Sequence, residues 1–272
     1  TVRVLNMFAL YISLPAVILL KVPQISFSGE MLAPVLIAWG TLLLSAGLVL
    51  AAGRLFSWPR SAVGVLLLVV PIGNTSFMGV PIINAFFGES GLRHLIVYDQ
   101  FGTMLIFATY GSLILALYGK GGSTGPRAML MRAVQFPPSI ALVIGLALLP
   151  WAYPPVLTQV LNTTASTLTP LVMTAIGFQL NYRLTPALRG PLCFGLGLKL
   201  LLAPLAVLTV CRLLGLQGQA VDVSIMEAGM PPMVTAGALA VVAGMDAELS
   251  IALVSLGLLL SFGTLPLLYW LL

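Results

Sequence analysis

Two polar segments rich in proline and glycine interrupt apolar stretches of this chain, and their residue types suit the binding of an anion. The first runs from Pro71 to Pro81 and contains the consecutive donors Asn74, Thr75 and Ser76; the second runs from Gly229 to Gly237. Proline prevents a helix from continuing, and glycine lets a chain unwind without steric cost. The pattern predicts two helices that break inside a membrane and offer their backbone to a solute.

The two breaks predict one site for a carboxylate. Each break creates a helix N-terminus with positive partial charge and free N–H groups, and two such ends that converge suit an anion. The residues expected to contact the solute are Asn74, Thr75, Ser76, Gly79, Pro81, Gly229, Pro231, Pro232, Thr235 and Asn162. The alternative for the breaks is a pair of proline kinks healed by Ser and Thr side chains. An interhelical hydrogen bond is equally expected for Asn162.

Two acidic residues, Asp99 and Glu227, are each expected about eight residues from the outer membrane face, beside one of the breaks, or roughly 12 Å deep. A charged carboxylate at that depth is costly unless it is paired or protonated, so both are candidates to bind a coupling proton or cation. Gln100 is expected to help Asp99 hold a cation. Permanent pairing, or a position at the lipid interface, is the alternative. Lys199 is expected either to neutralise a substrate carboxylate or to snorkel, and His94 to be solvated in an outer connector.

The composition identifies an integral membrane protein. Of 272 residues, 60% are hydrophobic and only 7% charged, with a mean hydropathy of +1.11, whereas soluble domains carry about 25% charged residues. The net charge of +5 does not indicate nucleic-acid binding, because the basic residues fall in short loops. The sequence has no metal-ligand cluster, nucleotide motif or nucleophile–base pair, so we expect neither an enzyme nor a cofactor beyond a coupling H⁺ or Na⁺.

The hydropathy pattern predicts an all-α polytopic protein with nine membrane spans. They run approximately over residues 3–22, 31–52, 61–87, 91–118, 128–150, 155–180, 190–212, 219–244 and 247–271. When the two breaks are aligned, the first four spans pair with the last four and 128–150 has no partner. The interpretation is an inverted repeat of five plus five helices, with the first helix of the first repeat missing. A true nine-span protein is the alternative.

The distribution of basic residues predicts the orientation. Three positives fall on one side, Lys21, Arg93 and Arg212, and eight on the other: Arg3, Arg54, Arg60, Lys120, Arg127, Arg132, Arg183 and Arg189. Because positive residues accumulate in cytoplasmic loops, the start of the chain is expected in the cytoplasm and its end outside.

The two interrupted segments resemble the crossover regions of the auxin efflux carrier family. The resemblance rests on residues 73–81, 88–89 and 97–100 for the first crossover, and on 227–232 through Gly244 for the second. It implies that the two broken helices cross at mid-membrane. It also implies scaffold helices over 1–22 plus 127–182 and a transport domain over 31–118 plus 190–271. It further implies a homodimer through the scaffold. The short loop after Tyr118 is similar to the bacterial permeases of the family, which implies a bacterial inner membrane.

These observations together predict a secondary active transporter of small organic anions, and the resemblance implies malonate, malate or auxin-like acids as substrates. Alternating access through an elevator-type movement of the transport domain is the expected mechanism. The expected partners are the organic anion and the lipid bilayer, with no nucleic acid. Two alternatives remain: a sodium-coupled symporter of the bile-acid type, and a membrane sensor that keeps the fold without transporting.

Overall fold

The computed structural model describes residues 2–24, 32–119, 137–149, 153–168, 170–171, 174 and 188–272. Within these ranges the chain is helical, in agreement with the predicted fold class. Their isolated β-bridge is antiparallel and joins Gly73 to Pro232. Strand pairing between two single residues in an otherwise helical chain marks the place where the two interrupted helices meet.

The helices of the first half are α1 (Val2–Phe8), α2 (Leu14–Lys21), α3 (Leu32–Leu55), α4 (Arg60–Val69), α5 (Gly79–Val97) and α6 (Ser112–Tyr118). Those of the second half are α7 (Pro137–Ala147), α8 (Pro155–Ser166), α9 (Arg189–Gly197), α10 (Ala203–Leu213), α11 (Gln219–Ala228), α12 (Val234–Val242) and α13 (Ala247–Leu271). Short π-helical turns join several of them without a break in the helical path.

Four helical stretches in the described part of the chain are long and apolar enough, by length and composition, to cross a membrane: Leu32–Leu55, Gly79–Tyr118, Arg189–Leu213 and Ala247–Leu271. Their large apolar side chains also face outwards, as do Leu36 and Leu43 on α3. A helix that is apolar on all sides is typical of a membrane span. The inverted repeat and the total of nine spans stay predictions, because 128–150 and 155–180 lie partly outside the described residues.

Both helix breaks lie where the sequence predicts them. The first separates α4, which ends at Val69, from α5, which begins at Gly79. The second separates α11, which ends at Ala228, from α12, which begins at Val234. α11 packs against α3, α5 and α10, while α12 packs against α4 and α13. Each half-helix of the second break therefore contacts a half-helix of the first.

Gly88 divides α5 into two helical stretches. Its φ of 68° and ψ of −167° interrupt the helix, and an L side chain would be strained at this positive φ. The sequence predicts a connector here, with His94 solvated within it. That expectation for His94 is wrong, because the helix resumes after Gly88 and leaves this imidazole only 8% exposed, where it accepts a hydrogen bond from Arg93 Nε at 3.2 Å.

Two π-helical turns place charged residues against the breaks. Tyr98–Met104 carries Asp99 and Gln100, and Leu198–Leu202 carries Lys199. A π-turn inserts an extra residue into the helical path, so the side chains after it rotate relative to an unbroken α-helix. All three polar side chains point inward and are buried.

Candidate functional site

The two breaks satisfy part of each other's unwound backbone. Asn74 N donates to Pro231 O at 2.7 Å, and Met233 N donates to Ile72 O at 3.0 Å. Unpaired backbone groups within a bilayer cost several kcal/mol each. The reciprocal pair of hydrogen bonds therefore fixes the two breaks to each other as one unit.

The first break also closes the N-terminal turn of α5 with its own carbonyl groups. Met78 N and Gly79 N both donate to Asn74 O, at 3.2 and 3.1 Å, and Val80 N donates to Ser76 O at 3.3 Å. The first donors of a helix otherwise have no intrahelical partner. These bonds leave little of the α5 N-terminus for a solute.

Glu227 lies against the same end of α5. Its carboxylate is so close to Gly79 that a Cβ at this glycine would lie 2.7 Å from Oε1 and 3.0 Å from Oε2. Glu227 is fully buried, and its two carboxylate oxygens have no hydrogen-bond partner among the described residues. The positive end of the α5 dipole stabilises a negative charge here. Glycine at position 79 thus makes room for a carboxylate of the protein itself.

The N-terminal turn of α12 is open by comparison. Gly237 N donates to Met233 O at 3.1 Å, but no backbone acceptor in the described ranges pairs with the N–H groups of Val234, Thr235 and Ala236. Three adjacent donors at the positive end of a helix form a site suited to an anion. The sequence predicts two converging helix ends for the solute; the structure fills the α5 end with Glu227 and leaves the α12 end available.

The Asn74 side chain adds a further donor at the junction of the breaks. Its backbone N–H is bonded to the second break, its side chain is only 2% exposed, and its Nδ2 has no partner in the part of the chain described. A buried donor without a partner costs about 1–3 kcal/mol. A bound anion would remove that cost.

Asp99 fastens the first break to the π-turn that follows α5. Its Oδ1 accepts hydrogen bonds from Thr75 Oγ1 at 2.5 Å and Ser76 Oγ at 2.7 Å, and its Oδ2 accepts one from Gln100 Nε2 at 2.6 Å. All four residues are buried. Charge-assisted bonds of this kind are short and strong. The hydroxyl groups of Thr75 and Ser76 therefore serve the protein's own carboxylate in this conformation.

Lys199 contacts the second break at the C-terminal end of α11. It is 1% exposed, and its Nζ donates to Ala228 O, the last residue of α11, at 3.1 Å. A cation is favourable at the negative end of a helix. A Cβ at Gly73 would lie 3.1 Å from this Nζ, so the glycine admits the ammonium group. The expectation that Lys199 snorkels is wrong, because its π-turn directs it into the protein.

Glu227, Asp99 and Lys199 form one electrostatic cluster. Glu227 interacts with both of the other groups, although its own oxygens lack a hydrogen-bond partner in the described residues. With all three groups ionised, two negative charges and one positive charge leave the cluster with a net charge of −1. One proton or one monovalent cation would make it neutral.

The remaining residues predicted to form the breaks are buried or half-buried. The Pro231–Pro232 pair is buried, and Gly229 allows α11 to approach α10 and α13, since a Cβ there would lie 2.8 Å from Leu268. Pro81 is buried in the first turn of α5, where the backbone N–H that proline lacks would have no intrahelical partner. Thr235 is half-buried.

Asn162 is not brought to the breaks. It is exposed on α8. This helix packs chiefly against α2 and against the π-turn Ala9–Ser13 that precedes α2. A role for this residue in solute contact therefore has no support from its position in this conformation.

Sequence reasoning missed two structural devices. The absence of a side chain at Gly73 makes room for the ammonium group of Lys199, and at Gly79 for the carboxylate of Glu227. From the sequence alone, both glycines are interpreted only as residues that let the chain unwind. The available signal was the presence of a lysine inside an apolar span, because such residues are rare and mark functional sites.

Comparisons with known proteins agree with the transporter interpretation. Residues 1–269 match the family model described as membrane transport protein, Mem_trans. An uncharacterized transporter of Methanothermobacter thermautotrophicus is 31% identical over 195 residues, which cover 71% of this chain and 63% of that relative's length. An uncharacterized transporter of Methanocaldococcus jannaschii is 27% identical over 244 residues, which cover 84% of this chain and 76% of the relative.

Both relatives are named as transporters. The resemblance of the two polar breaks to auxin efflux carriers agrees with the family match, which extends over almost the entire chain. The chain therefore belongs to the membrane transport protein family, Mem_trans, which is auxin efflux carrier-like.

Proposed function

We propose that the protein is a secondary active transporter of small organic anions, mono- or dicarboxylates, which it binds at the junction of the two breaks. The observation that carries this proposal is the open N-terminal turn of α12 in the same pair of breaks as Asn74, whose buried Nδ2 has no partner among the described residues. The donors there are neutral, so an anion binds without being held by a full opposite charge. Moderate binding suits a carrier, which must release its substrate on the other side.

The coupling ion binds at Glu227. Asp99 already accepts three hydrogen bonds, whereas the oxygens of Glu227 accept none from the described residues. Uptake of one proton or Na⁺ neutralises the cluster that Glu227 forms with Lys199 and Asp99, and its release restores a charge that is costly in the membrane interior. Oxygen atoms without partners also suit Na⁺, so the sodium-coupled mode stays the second candidate.

The two breaks move together during transport. Their reciprocal backbone bonds, together with the contacts of Asp99 and Lys199, support movement of residues 31–118 and 190–271 as one body. That body exposes the anion site alternately to each side of the membrane as it moves against a scaffold of 1–22 and 127–182. A bacterial inner membrane, a cytoplasmic chain start, an external chain end and a homodimer through the scaffold complete the proposal.

The test compares two asparagine variants in purified protein. Asn74→Ala deletes a donor directed at the anion and should raise the dissociation constant for acetate, propionate or malonate roughly tenfold or more, since a hydrogen bond to a charged group contributes about 1.5–3 kcal/mol. Asn84→Ala, on the exposed surface of α5, serves as the matched control. Calorimetric titration at two pH values, with and without sodium, measures both. Equal affinities in wild type and Asn74→Ala would reject this site.

A further inference from the structure

A cavity of about 370 Å³ opens where α10 ends and α11 begins. One face of each helix supplies its walls, at spacings of three and four residues: Leu208, Cys211 and Arg212 on α10, and Val221, Asp222 and Ile225 on α11. Residues 216–218 of the connecting loop and Leu272 complete the lining. The cavity lies at the N-terminal end of α11, whereas the second break follows its C-terminal end. It is therefore a separate feature from the junction of the breaks.

The cavity has an apolar floor and a polar mouth. Cys211, Val221 and Ile225 are at most 5% exposed and form the floor. Arg212 is exposed and Asp222 half-buried, so their charged groups lie nearer the water. A ligand that fits this arrangement is amphipathic, because its polar group must meet the charges while an apolar part covers the floor.

The two opposite charges of the mouth do not pair with each other. Arg212 Nη2 donates to Leu271 O at 2.8 Å and to Leu272 O at 3.0 Å, which leaves its other nitrogens without an acceptor among the described residues. The Asp222 carboxylate interacts with the charge of Arg212 across the cavity, but the two groups form no ion pair within 4.0 Å. Charges that face one cavity and stay apart suit a group that carries both signs.

The surroundings of the mouth are those of a lipid–water boundary. Leu213 and Leu214, which follow Arg212 at the end of α10, are 81% and 68% exposed, and Trp270 in the last turn of α13 is 80% exposed. Exposed leucines on a membrane helix face acyl chains, and tryptophan is enriched at the level of the headgroups. The charged mouth thus lies where the headgroup of a phospholipid can reach it.

We propose that this cavity binds a phospholipid whose headgroup carries an ammonium group beside its phosphate, as in phosphatidylethanolamine. The guanidinium group of Arg212 donates to the phosphate, since its fork of N–H groups matches phosphate oxygens. The ammonium group donates to the Asp222 carboxylate. A lipid with a phosphate but no ammonium group would leave Asp222 without a partner and would bring a second negative charge towards it. The inference goes beyond the proposed transport function and holds for any transported solute.

The test measures lipid dissociation constants by native mass spectrometry of the purified protein in detergent. Dioleoyl phosphatidylethanolamine and dioleoyl phosphatidylglycerol share their acyl chains and phosphate and differ in the ammonium group. Wild type should bind phosphatidylethanolamine about threefold to tenfold more tightly, since the contact with Asp222 is charge-assisted but partly exposed. Soluble phosphoethanolamine, used as a competitor, should bind at least about tenfold more weakly than the lipid, because it lacks the apolar part.

Two variants locate the effect. Asp222→Asn should bind both lipids with nearly equal dissociation constants, because the acceptor for the ammonium group has lost its charge. Arg212→Gln should weaken the binding of both lipids, each by about threefold to tenfold. If Arg212→Gln does not fold without its bonds to Leu271 and Leu272, Asp222→Asn still decides the assignment. Glu89→Gln and Arg54→Gln, at exposed positions outside the cavity, are the matched controls and should keep the wild-type preference.

Three results would overturn the assignment. Equal binding of the two lipids by wild type would show that no ammonium group is recognised. A preference for phosphatidylethanolamine that persists in Asp222→Asn would place the lipid elsewhere on the protein. Soluble phosphoethanolamine that binds as tightly as the lipid would make the cavity a site for a small zwitterion of the outer solution.

Discussion

The buried charges at the breaks allow a prediction about protein stability, because stability should change with the net charge of the cluster. With Asp99, Glu227 and Lys199 ionised the cluster carries −1. Lys199→Met changes this to −2, and Glu227→Gln changes it to 0. Combining the two substitutions restores −1. Lys199→Met should therefore destabilise the protein, and adding Glu227→Gln should recover much of the loss.

The size of the effect follows from the contacts of Lys199. Its removal takes the hydrogen bond from Ala228 O and the positive charge from the neighbourhood of Glu227. Removing one partner from a buried ion pair costs roughly 3–5 kcal/mol. Because Glu227 and Lys199 are not in hydrogen-bond contact in this structure, we expect about 3 kcal/mol for Lys199→Met, of which Glu227→Gln returns about half.

The assay is thermal unfolding in one detergent, followed by intrinsic tryptophan fluorescence, for the two single variants and the double variant. A loss of about 3 kcal/mol corresponds to roughly 6–12 °C for a chain of this size. Arg54→Met, at an exposed position near the end of α3, controls for the loss of a cation. A double variant no more stable than Lys199→Met would refute the reasoning that these charges act as one cluster.

Two further substitutions test the first break. Gly79→Ala places a Cβ 2.7 Å from a carboxylate oxygen of Glu227. The substitution should lower the free energy of unfolding by about 1–3 kcal/mol and remove the ion dependence of transport. Glu227→Asp in the same chain should restore stability, because the shorter acid leaves room for the Cβ. No loss of stability or coupling would contradict the close contact. Thr75→Val removes one donor to Asp99 and should lower stability by about 1–3 kcal/mol with anion affinity unchanged; a weaker affinity would return Thr75 to the solute site.

The positions of the breaks could be predicted from the sequence because proline and glycine act locally. Pro231 and Pro232 cannot continue a helix whatever packs around them, and both lie in the unwound segment between α11 and α12. Long apolar spans such as α3 and α13 could also be predicted, because their length and composition are read directly from the sequence.

The partners of the polar residues could not be predicted, because they depend on packing between distant segments. Asp99 binds Thr75 across 24 positions, and Lys199 binds Ala228 across 29. Asp99 and Lys199 both lie in π-turns, and no residue pattern predicts these turns. The same holds for Asn162, which stays a prediction: its type suits a solute site, but its helix packs chiefly against α2 in this conformation.

The most direct test of the central claim is carboxylate uptake into proteoliposomes driven by an imposed pH or sodium gradient, compared between wild type and Glu227→Gln. We predict that wild type accumulates a short monocarboxylate above its external concentration when the driving gradient is present. Glu227→Gln should still bind the acid but only equilibrate it. Absence of gradient-driven uptake in wild type, or undiminished accumulation by Glu227→Gln, would contradict the account.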